Sequence, residues 1–204
     1  MLDTAVFCFG RLQPPTIGHE RLLLKVVEVA REQRADHYVF LSQTQKHPND
    51  PLEWNYKRRV VELMFPGMHI VADPDIKTPF QALQELSKKY SKIIMIAGDD
   101  RAESFENRMS KYANEWGVTE FEVISSGARD PDAEGVTGMS ASKARKFAID
   151  GDYDNFLLSI PSRIPDNIKR DIYDKIKRSV DEDMSPEEYR RGSLRGKFIY
   201  SGDG

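Results

Sequence analysis

Cysteine is almost missing from this chain. Cys8 is the only one, so no internal disulfide can form and no cysteine-rich metal site can be built. Long apolar runs are missing too: none approaches the roughly 20 residues needed to cross a bilayer. The opening Leu2-Asp3-Thr4 lacks the basic start and the apolar core of a secretory signal. An excess of one charge is also lacking. Lys and Arg total 30 against 33 Asp and Glu, a net charge of −3, which gives no overall pull toward nucleic acid or an acidic membrane. No G-x-G-x-x-G follows the first apolar run and no Walker A motif occurs, which argues against a dehydrogenase and a P-loop enzyme. His37, His47 and His69 stand at no familiar metal-ligand spacing. The expectation is a cytoplasmic protein with no membrane partner and no nucleic-acid partner. A homo-oligomer is compatible with this composition.

What is present is a chain of 204 residues, 39% of them hydrophobic, enough for one domain with an appendage. Apolar runs at Ala5 to Phe9, His37 to Ser42, His69 to Ala72, Lys92 to Ala97 and Glu120 to Ser125 read as strands. Between them, 3.6-residue periodicity predicts helices over His19 to Arg34, Asn55 to Phe65, Pro79 to Tyr90 and Ser104 to Trp116. A polar loop, Gly127 to Gly138, leads to a short helix closed by Gly151. Strands alternating with helices predict an α/β, Rossmann-like fold: a parallel five-stranded sheet of order 3-2-1-4-5 with helices on both faces. This unit is expected to cover residues 1–160. Beyond Pro161 the pattern becomes purely helical, with Ile168, Ile172, Ile176 and Val180 on one stripe and Asp166 as N-cap. Ser185-Pro186-Glu187-Glu188 resembles the start of a second helix. Residues 161–204 are therefore expected to form a C-terminal helical extension, with the basic, glycine-containing stretch from Arg190 as a tail.

Two clusters carry chemistry. The first strand delivers the chain to Gly10-Arg11-Leu12-Gln13-Pro14-Pro15-Thr16-Ile17-Gly18-His19. Its second half opens a helix, where unpaired N–H groups attract anions. Gly18 lets the backbone approach a ligand. Thr16 and His19, three apart, can aim a hydroxyl and an imidazole N–H at one phosphate oxygen. The second cluster, Gly138-Met139-Ser140-Ala141-Ser142-Lys143-Ala144-Arg145, puts two hydroxyls and two cations at another helix start. Taken alone, it reads more readily as a serine cap with a solvated basic turn. A sheet of the expected order also brings Gly98 to Arg101 beside Gly10 to His19, in a crevice at the carboxyl ends of the strands. There Asp99 or Asp100 can accept from ribose hydroxyls or cap a helix.

Thr16-Ile17-Gly18-His19 resembles the (H/T)-x-G-H signature of the nucleotidyltransferase superfamily. Met139-Ser140-Ala141-Ser142-Lys143-Ala144-Arg145 resembles its second signature, Ile-Ser-Ser-Thr-x-x-Arg, with Ala141 replacing a serine. Gly10-Arg11-Leu12-Gln13-Pro14, and Gln45-Lys46 with Pro51-Leu52, are similar to the archaeal-type and phage-encoded nicotinamide mononucleotide adenylyltransferases, with Leu12 in place of phenylalanine. The resemblance implies a transferase that passes AMP from ATP to a phosphorylated acceptor, nicotinamide mononucleotide giving NAD, with release of pyrophosphate. It implies catalytic roles for His19, Thr16, Lys46 and Arg145. Nucleotide binding falls to Gly10, Arg11, Gly18, Gly98, Asp99, Asp100, Met139, Ser140 and Ser142, and acceptor binding to Trp54, Tyr56 and Arg58. Mg²⁺ is carried on the substrate phosphates, with no metal ligand set from the protein. A phage-encoded member would work in the host cytoplasm. A CTP-using branch, a fragment of an aminoacyl-tRNA synthetase and a non-catalytic nucleotide-binding module stay open as alternatives.

Overall fold

The computed structural model describes residues 3–127 and 139–183. The loop from 128 to 138, the Ser185 to Glu188 helix start and the tail from Arg190 lie outside the described residues. The elements are β1 (Thr4–Gly10), α1 (Ile17–Gln33), β2 (Asp36–Leu41), α2 (Trp54–Met64), α3 (Pro79–Ser87), β3 (Lys92–Ala97), α4 (Asp99–Glu115), β4 (Glu120–Ser125), α5 (Ala141–Asp150), α6 (Tyr153–Ser159) and α7 (Asp166–Asp183).

The sheet is parallel, and its order is β2-β1-β3-β4. It has four strands rather than the expected five, and the expected order is corrected with it. The stretch His69 to Ala72 does run beside β2, but it forms a single parallel bridge, Ile70 to Val39. Two backbone bonds hold it there, Val39 N–H to His69 O at 2.8 Å and Val71 N–H to Val39 O at 2.9 Å. Pro66-Gly67 before it and Pro74 after it leave too few residues for a ladder.

Parallel strands are covered on both faces, so they read as continuous apolar runs. In β3, Ile93 to Ala97 are all buried. Alternate residues face opposite layers. Val6 and Cys8 of β1 and Ile94 and Ile96 of β3 pack in one apolar cluster with α1, α2, α6 and α7. Ala5 and Phe7 of β1 and Ile93 and Met95 of β3 pack in a second cluster with α3 and α4. At the edge, β4 keeps Glu120 and Glu122 exposed and its other residues only half-buried, in keeping with an edge strand. Helix α7 shares the first cluster through Ile172, Tyr173 and Ile176. Its first residue is Asp166, one position later than the N-cap predicted for that side chain.

Candidate active site

The first strand order change falls between β1 and β3: the chain leaves β1 toward β2 and later returns to the other side of β1. Here a cavity of about 220 Å³ opens at the carboxyl ends of the two strands. That is below the roughly 300–1,000 Å³ of pockets that enclose a drug-sized ligand, so a nucleotide would be partly enclosed. Phe9, Gly10, Ala97 and Gly98 form its floor, and Leu22 and Phe105 are apolar parts of its wall.

Three helices begin at this cavity. Gly18 and His19 of α1, Asp100 and Arg101 of α4, and Ser140 to Ser142 at the start of α5 all line it. Helix N-termini carry partial positive charge and orphan N–H groups, so all three favour an anion. At α4 the acidic first turn, Asp99 and Asp100, offsets that field. The starts of α1 and α5 therefore favour an anion more than the acidic start of α4 does. Asp99 is occupied by Ser125, whose Oγ donates to Oδ1 at 2.8 Å.

The α1 start is built by Thr16 and His19. Thr16 is the N-cap, with extended backbone, and is 1% exposed. Its N–H donates to His19 Nδ1 at 3.0 Å, and its Oγ1 lies 3.0 Å from the same nitrogen. A backbone N–H can only donate, so Nδ1 is the acceptor. The proton of the neutral ring therefore sits on Nε2, and His19 is a ring donor at the cavity.

Before α1, the chain makes a tight turn. Leu12 has φ 48° and is buried. Gly10 makes room for it: a Cβ there would stand 2.3 Å from Leu12 Cδ1. The turn presents Arg11, whose Nη2 and Nε bond Asp50 Oδ1 at 2.6 Å and 3.1 Å. Gln13 is buried and locks the neighbouring loop, accepting from Leu52 N–H at 2.8 Å and donating to Leu52 O at 2.9 Å. From α5, Arg145 Nη1 donates to Gln13 O at 2.6 Å and Nη2 to Ser142 Oγ at 3.3 Å. Burial and then the Arg11 guanidinium lower the Arg145 pKa, opposed by Asp50. Two guanidinium groups thus line one cavity and repel one another, and an anion bound there would relieve the repulsion.

The structure brings Gly10, Arg11, Gly18, His19, Gly98, Asp100, Ser140, Ser142 and Arg145 to the cavity. Thr16 acts one layer behind, through His19. Lys46 is exposed, its backbone N–H and C=O pair with the Asp50 backbone, and it does not line the cavity. Met139 also stands outside the lining, half-buried. Trp54, Tyr56 and Arg58 are on α2, away from the lining: Arg58 lies over the Trp54 ring at 5.2 Å, and Lys175 of α7 lies over the Tyr56 ring at 4.8 Å. Burial and the neighbouring Asp171 carboxylate push the Tyr56 phenol up.

Sequence reasoning assigned no role to Gln13 or Asp50, and it read the basic run Lys57 to Arg59 as a source of cations for an acceptor phosphate, which burial rules out for Lys57. Lys57 is 0% exposed. Its Nζ donates to Arg11 O at 2.7 Å and to Ser42 O at 2.6 Å. Its signal was present in the helical pattern: Lys57 lies on the stripe of Val60, Val61 and Met64, all buried. A lysine on an apolar stripe needs a buried partner.

No protein-family model matches the sequence, and no curated protein matches it. Among solved structures, the chain resembles the apo form I crystal structure of Thermotoga maritima TmcAL. The TM-score is 0.52 at 11% sequence identity, covering 90% of this chain and 58% of that one. A form II crystal structure of the same protein bound with alpha-thio ATP superposes at a TM-score of 0.42 and 10% identity, over 90% and 57% of the two chains. The second match is too loose to support any argument. The chain spans less than two thirds of the length of TmcAL, and the first likeness shows a shared α/β fold.

Proposed function

We propose that the chain is a nucleotidyltransferase that passes a nucleoside monophosphate from a triphosphate to a small phosphorylated acceptor. The observation that carries this reading is the cavity itself: three helix starts, the His19 ring donor and the Arg11 and Arg145 guanidinium groups meet where the strand order changes. Among the described residues, no serine or cysteine nucleophile paired with a base lines it, and the proposed reaction needs none.

The acceptor's phosphate oxygen attacks the α-phosphorus in line. The new P–O bond forms as the bond from the α-phosphorus to the bridging oxygen breaks, and pyrophosphate leaves with the electron pair. Such a reaction is accelerated by positioning and by charge stabilisation. His19, as the Nε2–H tautomer, donates to an α-phosphate oxygen. Arg145 and the Ser140 and Ser142 hydroxyls hold the β- and γ-phosphates at the start of α5. The floor at Ala97-Gly98 and the acidic start of α4 receive the nucleoside, with Asp100 accepting from ribose. The donor is Mg·ATP, its metal carried on the phosphates.

The finer reading, nicotinamide mononucleotide as acceptor and NAD as product, rests on the resemblance of Gly10 to Pro14 and of Gln45-Lys46. A substrate panel read by pyrophosphate release tests both levels. Release with Mg·ATP and nicotinamide mononucleotide, and little with CTP, is expected. Release only with CTP and another phosphorylated acceptor overturns the substrates and keeps the reaction class.

A further inference from the structure

We infer that Lys57 is a positioning residue: its buried ammonium ties the exit of β1 to the exit of β2 and thereby holds the Arg11 guanidinium at the mouth of the cavity. The inference deepens the transferase reading and rests on it for Arg11's work on phosphate.

The geometry is a three-way knot. Arg11 O and Ser42 O, from the ends of two neighbouring strands, both accept from Lys57 Nζ. The backbone continues that pairing, because Ser42 N–H donates to Gly10 O at 2.9 Å. Beyond Ser42 the chain runs out to Asp50, which returns to grip the Arg11 side chain. One ammonium therefore fixes the main chain of the residue that carries the guanidinium. It also fixes the root of the loop that carries the guanidinium's carboxylate. Arg11 itself has side-chain exposure of 53%, against 8% for Asp50, so without these anchors its position would be set by solvent and by one ion pair whose carboxylate sits on an untethered loop.

A lysine suits this place because it brings charge as well as donors. The charged groups that act on it are Asp50, which holds its proton on, and Arg11, which opposes it. Arg145, which lines the same cavity, also feels both. Burial outweighs Asp50 and pushes the ammonium down to about 8. The positive charge beneath Arg11 is thus lost just above neutral pH, where exposed lysines keep theirs.

The test has a ligand-free arm and a catalytic arm. Hydrogen exchange on the full chain compares wild type with Lys57→Met, and with Lys57→Gln where methionine does not fold. Faster exchange confined to segments 10–14 and 42–52 is expected. Unchanged exchange there, or an equal rise over the whole fold, overturns the inference. In the pyrophosphate-release assay, Lys57→Met should lower kcat/KM by about tenfold to a hundredfold, the scale of one charge-assisted contact. It should add nothing in an Arg11→Ala background. Additive losses would show that Lys57 does not act through Arg11. The wild-type rate should fall with an alkaline limb near pH 8 that Lys57→Met lacks, and a limb that survives the substitution contradicts the inference. A wild type that releases no pyrophosphate with any pair strikes the transferase reading alone, and the exchange result still decides the role of Lys57.

Discussion

At the scale of single residues, the cavity turns on what each side chain can donate. The Thr16 N–H fixes the His19 tautomer, so the ring enters the site with its donor already chosen. His19→Ala should lower kcat by about 10²–10³, the effect of losing one preorganised donor, with a smaller change in KM. A near-normal kcat would remove His19 from the mechanism. Arg145 bonds both Gln13 O and Ser142 Oγ, which uses the fork geometry of a guanidinium. Arg145→Ala should raise the KM for the triphosphate and slow turnover together. Arg145→Lys should rescue poorly, and full rescue would mean that a point charge suffices. Lys57 also makes a prediction about stability. Its pKa is lower folded, about 8, than unfolded, about 10.4. The unfolded chain therefore binds more protons between those values, and stability should rise with pH across that window. Urea melts from pH 7.5 to 9.5 should show this rise in wild type and not in Lys57→Met. Equal slopes would contradict the burial of a charged Lys57.

At the scale of elements, the connections carry the constraint. Gly10 is needed because Leu12 fills the space a Cβ would take. Gly10→Ala should cost about 1–3 kcal/mol in a chemical melt, the usual result of overpacking a core, since Leu12 is itself buried. No change in stability would show that Leu12 can move aside freely. Most of these elements were legible beforehand. Lys92–Ala97 and Glu120–Ser125 stand where their apolar runs end, and Gly151 closes α5 in a left-handed conformation as its position predicted. Helix α4 was read too short because its first turn, Asp99 to Arg101, is polar and has no apolar periodicity; Gly98 is its N-cap. The stretch at His69 was read as a full strand because composition reports burial, whereas a ladder needs length between its flanking turns. Of the site, the two signatures and the Gly98 turn were visible as motifs. The ties through Gln13, Asp50 and Lys57 were not, because they join residues about 40 apart in the chain; those of Gln13 and Lys57 end on backbone acceptors, which leave no trace in residue type.

At the scale of the whole molecule, the sheet gathers three helix starts at one end, and α7 closes the core on the face that carries α1 and α2. Helices α1, α5 and α7 thus share one apolar cluster. In the proposed reaction this end of the sheet moves a nucleoside monophosphate onto another phosphate. The most direct measurement follows the label of ATP carrying radioactive phosphorus at the α position, with Mg²⁺ and nicotinamide mononucleotide. Label is expected in a dinucleotide in amounts equal to the pyrophosphate released, and Arg145→Ala should suppress both together. Label leaving as AMP or ADP, or equal transfer by Arg145→Ala, would contradict the proposed reaction.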